Sequence, residues 1–261
     1  MQTYLDLHFS DYWTDPSHQT TPVSWSQTSI DDLCATVYTY TQTVSNEFAR
    51  AKIYPIIISI GNEIENGLLW PLGEISKPSN IARLLHSASE GIRSSALSST
   101  TKIMLHTSNG WHKSMQLWFY KTILSFGTFT LNDFDIFGFS FYPFQGPEAT
   151  FSALKDTLEA FENKYPGKEL VIAETNWPFS CPSPRSAFPS EANQIPFSQK
   201  GQIEWVKNIS DLLDSVKGGA GLFYWEAAWT SNANLGSACA DNLLFDPTGK
   251  ARDSVDMFSL V

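Results

Sequence analysis

An α/β barrel of the (β/α)8, or TIM, type is the fold this chain predicts. Short β-branched and aromatic runs alternate with longer stretches of helical period, the pattern of a parallel sheet joined by right-handed crossovers. Loops after the runs are long and rich in Trp, Asn, Pro and Gly, whereas those after the helical stretches are short, so the working face belongs at the strand C-termini. Six strand-helix units are legible in the 261 residues, and a closed barrel of this type has eight. The first two units are therefore expected to precede Met1, which makes this an N-terminally truncated barrel. No Pro/Ser-rich linker or composition shift divides residues 1–261, so a single domain is expected.

Each element has a local reason. Strand 4–8 opens on Tyr4-Leu5-Asp6-Leu7-His8 and runs into a polar loop, and a helical period covers 29–51. The run 56–62 is apolar or small until Asn62, as in a strand covered on both faces. A helix over 78–97 has Ser79 available to cap it, strand 102–106 follows, and a helix over 114–126 can stop at Gly127, where φ > 0 costs little. Strand 136–142 puts Phe137, Phe139 and Phe141 on one face and Gly138, Ser140 and Tyr142 on the other. The small residues suit a crowded barrel interior and leave Tyr142 aimed at its mouth. Helix 150–165 lines up Leu154, Leu158 and Phe161 against a sheet. Strand 169–174 comes next, then a helix over 198–216 capped by Ser198 and stopped by Gly218-Gly219, strand 220–225 and a short helix near 253–260.

Composition narrows the function. A net charge of −10 with no basic run argues against nucleic acid and against an anionic membrane surface. No stretch is long and apolar enough to span a bilayer. Aromatics make up 14% of the chain against 17% charged residues, a surplus of flat rings that suits a groove stacking sugars. Core filling accounts for most of the Phe but less readily for Trp13, Trp111 and Trp177 in polar loops. Three cysteines, with no C-x-x-C pair, are too few for a metal site. Cys181 and Cys239 lie in two loops that follow neighbouring strands, where an oxidising compartment would allow a disulfide, and Cys34 sits on a helical pattern as a buried free thiol. Asn208-Ile209-Ser210 matches a glycosylation acceptor, a motif common by chance.

Two strands end on glutamate: Ile60-Gly61-Asn62-Glu63 and Ala173-Glu174-Thr175-Asn176-Trp177-Pro178. Two carboxylates at such positions are what glycoside hydrolysis needs, one to protonate the leaving oxygen and one to attack the sugar or activate water. Asn62 beside an acid/base Glu63 can bond a sugar 2-hydroxyl, and Asn176 and Trp177 frame the second glutamate. His8 and Asp11 can bond hydroxyls and Trp13 can stack a ring. The Tyr142 hydroxyl can orient the attacking carboxylate, and Trp225 can floor the subsite of the cleaved sugar. Glu226 adds a third carboxylate, so pattern alone does not make the pair unique.

Taken together, Asp6-Leu7-His8-Phe9-Ser10-Asp11, Ser59 to Ile64, Gly67 to Gly73, Ser140-Phe141-Tyr142-Pro143-Phe144, Glu174 to Pro178 and Tyr224-Trp225-Glu226 closely resemble fungal arabinogalactan endo-β-1,4-galactanases of glycoside hydrolase family 53. The resemblance spans essentially the whole chain. It implies that the visible strands are three to eight, that Glu63 is the acid/base and Glu174 the nucleophile of a retaining enzyme, and that Cys181 and Cys239 are bridged. It further implies a secreted monomer acting on β-1,4-galactan, with no cofactor and no bound cation. Four positions depart from the usual pattern: Phe141 for a tyrosine, Glu65 for an arginine, and Thr107-Ser108 for a Leu-Asp pair before Asn109-Gly110-Trp111. A related endo-mannanase or cellulase would share Glu63 and Glu174, and a fragment unable to close its barrel would at most bind glycan.

Overall fold

The computed structural model describes residues 2–237 and 239–259. Strands and helices alternate: β1 (Tyr4–Leu7), α1 (Ile30–Arg50), β2 (Ile57–Ile60), α2 (Pro78–Arg93), β3 (Lys102–Thr107), α3 (Lys113–Leu124), β4 (Ile136–Ser140), α4 (Phe151–Lys164), β5 (Glu169–Thr175), α5 (Gln199–Asp214) and β6 (Gly219–Tyr224). These are the six strands counted from the sequence, and their hydrogen-bonded order follows the chain. The backbone divides into two compact units, residues 1–108 with 114–138, and residues 109–113 with 139–261.

In the first unit β1 pairs parallel with β2, Tyr4 opposite Ile57 through Leu7 opposite Ile60, and β2 pairs parallel with β3. All four residues of β2 are buried, as a β-branched run in a parallel sheet requires. Ser29 caps α1, its hydroxyl accepting from the Asp32 amide, and Asp31 and Asp32 in the first turn suit the helix dipole. Ser79 does not cap α2. The cap position falls to Lys77 and Pro78 opens the helix, because its fixed φ is already helical and its missing N–H would have been unpaired anyway. The buried face of α2, including Ile81, Leu84, Leu85, Ala88 and Ile92, follows the helical period. Gly91 lets α2 approach α1 closely: a Cβ there would lie 2.1 Å from Thr41 Oγ1. Tyr120, Phe134 and Phe137 pack as a cluster with centroids as close as 4.7 Å, so these aromatics fill core.

In the second unit β5 pairs parallel with β6, and the Phe141 amide just beyond β4 donates to the Glu174 carbonyl (2.8 Å). The predicted face of α4 is buried at Leu154, Leu158 and Phe161. Ser198 caps α5 by accepting from the Gly201 amide. Of the two glycines expected to stop α5, Gly218 takes φ +102° and Gly219 already begins β6. Phe139 stands edge-on to Phe161 of α4, and Phe141 stacks on Trp205 of α5 at 5.3 Å, so both face the helices. Asn208 lies within α5 beside fully buried Ile209, a regular helix rather than the loop an acceptor sequence favours. The expected C-terminal helix is a 3-10 segment, Asp253–Ser259; its last predicted residue, 260, lies outside the described residues.

Candidate active site

In the first unit the candidate residues lie at the ends of β1 and β2. Asp6 lies between two imidazoles, its Oδ2 3.7 Å from His8 Nε2 and 3.5 Å from His106 Nδ1. Burial alone would raise the Asp6 pKa, but the bonds and charges of His106 and His8 leave it below the ordinary carboxylate value. His8 Nδ1 is 2.7 Å from Thr14 Oγ1, Asn62 Nδ2 donates to the Thr14 carbonyl (3.1 Å), and Gln19 Nε2 donates to the Asn62 carbonyl (2.7 Å). The β1 loop is thereby tied to the end of β2. Asn62 Oδ1 is buried and has no hydrogen-bond partner among the described residues, an acceptor left for a ligand hydroxyl. Next to it, Glu63 is half-buried in a left-handed conformation, φ 51° and ψ 56°. A single non-glycine residue held in that region marks a turn under tertiary control.

Trp13 exposes a ring to solvent, as a stacking role requires. Asp11 is used differently: it is exposed, and its Oδ2 accepts from the Val23 amide at 2.8 Å. A short acid in a polar loop satisfies the nearest unpaired N–H, so Asp11 holds its loop.

In the second unit the candidate residues lie at the ends of β4, β5 and β6. Tyr142 donates to Glu174 Oε2 at 2.7 Å, and both side chains are buried. One carboxylate oxygen is thus held by the phenol. Behind Glu174, Thr175 Oγ1 donates to the Phe141 carbonyl (2.7 Å) and accepts from Trp205 Nε1 (2.9 Å), while the Trp225 amide donates to the Thr175 carbonyl (2.8 Å). Trp225 and Glu226 are half-buried, Glu226 at φ 48°. Asn109 sits at φ 50°, Gly110 N donates to the Ser140 carbonyl, and half-buried Trp111 meets Phe141 edge-on at 6.1 Å. Asn176 is buried with neither amide atom partnered among the described residues.

Trp177 is a correction. Its ring is 1% exposed, stacked on Trp205 at 5.0 Å and covered by Phe188 and Phe197, with Nε1 donating to the Pro196 carbonyl. A tryptophan in a Pro-rich loop can be the loop's own core, and here it is.

Cys181 and Cys239 form the disulfide, with Cα atoms 4.3 Å apart, and Cys34 is a buried free thiol. Several supports of this face escaped the sequence reading. Gln202 Nε2 reaches the carbonyls of Trp177 and Leu243, and Tyr224 Oη lies 2.9 Å from those of Trp177 and Asn242; burial pushes the Tyr224 phenol well up. Arg252 grips Asp241 with both guanidinium nitrogens beside the disulfide and lies over the Phe179 ring. In the first unit, Glu65 and Ser108, two of the departures from the usual pattern, bond to each other. Separations of 11 to 47 residues, with no period in common, leave no spacing by which a sequence could reveal such pairs.

Comparison with known proteins agrees with this geometry. The family model "Glycosyl hydrolase family 53" matches residues 1–258. An arabinogalactan endo-β-1,4-galactanase of Thermothelomyces thermophilus is 50% identical over 258 residues, covering 99% of this chain and 77% of the relative. A solved fungal β-1,4-galactanase superposes with a TM-score of 0.98 at 47% identity, covering 100% of this chain and 78% of that one. The family 53 catalytic domain of Ignisphaera aggregans gives a TM-score of 0.84 at 27% identity, with 100% of this chain and 74% of that one covered. With one family model matching residues 1–258 and a relative 50% identical over 99% of the chain, the chain belongs to glycosyl hydrolase family 53.

Proposed function

We propose that this glycoside hydrolase cleaves internal β-1,4-galactosidic linkages in galactan and arabinogalactan, with retention of configuration. Glu63 gives its proton to the departing glycosidic oxygen while a Glu174 carboxylate oxygen attacks the anomeric carbon, forming a glycosyl ester on Glu174. Glu63, now a carboxylate, takes a proton from water, which attacks the same carbon and releases Glu174. The observation that carries the assignment of Glu174 is its bond to Tyr142, which a nucleophile needs and a general acid would not favour. Half the residues are shared with a protein named as an arabinogalactan endo-β-1,4-galactanase, which supports the substrate.

His8, Asn62 and Asn109 bind hydroxyls in this reading, and Trp13, Trp111 and Trp225 present rings to the sugars. Glu226 and Asn176 complete the polar lining. The enzyme acts as a secreted monomer, a compartment the disulfide suits. Among the described residues no helix is long and apolar enough to cross a membrane. A reducing-sugar assay on galactan, mannan and cellulose tests the proposal: release from galactan alone is expected, and preferential release from mannan or cellulose would replace it with another β-glycanase.

A further inference from the structure

Glu65 is a carboxyl that the reaction as written does not use, and its surroundings are unusual. It lies two residues beyond Glu63, in the one-turn 3-10 helix Ile64–Asn66, and is 5% exposed. One of its oxygens accepts from the Ser108 amide at 2.9 Å and the other from the Ser108 hydroxyl. Ser108 is itself held, its carbonyl accepting from Gln116 Nε2 of α3, whose Oε1 accepts from Thr107 Oγ1 at 2.8 Å. The left-handed backbone at Glu63 therefore stands between β2 and a turn moored to the end of β3. Swinging the Glu63 backbone out of that conformation requires Glu65 to leave Ser108.

We propose that Glu65 is a positioning residue for Glu63: its buried carboxyl, bonded to Ser108, moors the turn that aims Glu63. The inference rests on the acid/base role given to Glu63. Burial pushes the Glu65 pKa up to about 7, the Ser108 bonds oppose the shift, and the charge of Glu63 adds to it. Among the described residues, Ser108 and Thr107 at the end of β3 and Gln116 on α3 make up the bond chain behind this carboxyl. His106, the nearest ionisable residue on β3, already faces Asp6.

Glu65→Gln separates the charge from the mooring, since its amide can still accept from the Ser108 N–H and donate to the hydroxyl. Glu65→Ala removes both. Steady-state kinetics on soluble galactan reads the mooring: Glu65→Gln, which keeps the Ser108 bonds, should retain most of the wild-type kcat. Glu65→Ala should lower kcat about tenfold or more with little change in KM, the signature of a misaimed rather than a missing group. A Glu65→Ala kcat within about twofold of wild type, or a loss in Glu65→Gln as large as that in Glu65→Ala, overturns the inference. If Glu63→Gln keeps both its alkaline limb and its galactan turnover, the acid assignment itself falls, and this inference with it.

Discussion

Replacing Tyr142 with Phe removes one oxygen from a buried pair and little else. The phenol donates to Glu174 Oε2 at 2.7 Å, the ring is 7% exposed, and Phe144 stacks on it at 5.0 Å, so the aromatic packing should persist. A hydrogen bond to a charged group contributes about 1.5 to 3 kcal/mol. If that bond aligns the nucleophile in the transition state, its loss lowers kcat/KM by roughly 10- to 150-fold. The assay is steady-state hydrolysis of soluble galactan alongside a galactobioside with an activated aryl leaving group. Both substrates should lose about equally if formation of the glycosyl ester limits each, because attack by Glu174 is common to them, and the melting temperature should drop by only a few degrees. A variant within about twofold of wild type on both substrates would show that the bond does not serve the reaction and would refute the reasoning.

Other expectations follow from the same structure. Glu174→Ala should abolish turnover and regain activity on activated substrates with azide, giving an α-linked glycosyl azide, whereas Glu63→Ala should most slow substrates with poor leaving groups. The Cys181–Cys239 bridge closes a separation of 58 residues, so Cys239→Ser should cost about 4 kcal/mol by chain entropy, read as a lower denaturant midpoint, while native thiol titration still finds Cys34 protected. The folded-state pKa of Glu65 is raised from 4.5 to about 7. Its contribution to stability is thus full below pH 4.5 and fades as pH rises through 7, by up to about 3 kcal/mol, and Glu65→Gln should flatten that decline in urea melts across the window. Arg252→Met should lower the unfolding midpoint, because it strands the Asp241 carboxylate beside the disulfide.

Period and punctuation made most of the fold legible. The apolar run 56–62, the face Leu154-Leu158-Phe161 and the cap at Ser198 are local signals, and each reappears in the structure. Ser79 misled because a serine next to Pro78 offers two starts for one helix, and the proline's backbone decided between them. Trp177 misled because burial of an aromatic ring in a loop depends on what folds over it, here Phe188 and Phe197 from eleven and twenty residues away. Gln202, Arg252 and the Glu65–Ser108 pair act through contacts distant in sequence, and polar residues carry no period that betrays burial. The glutamates were legible for the opposite reason: each ends a run whose own composition announces a strand.

The assignment of Glu174 as nucleophile is tested most directly by trapping the intermediate. Incubation with an activated 2-deoxy-2-fluorogalactobioside, followed by peptide mapping, should find the sugar esterified to the peptide that ends β5, at Glu174, and NMR of a galactan digest should show the β-anomer first. A label on Glu63 or Glu226, or an α-anomer as the first product, would contradict the account.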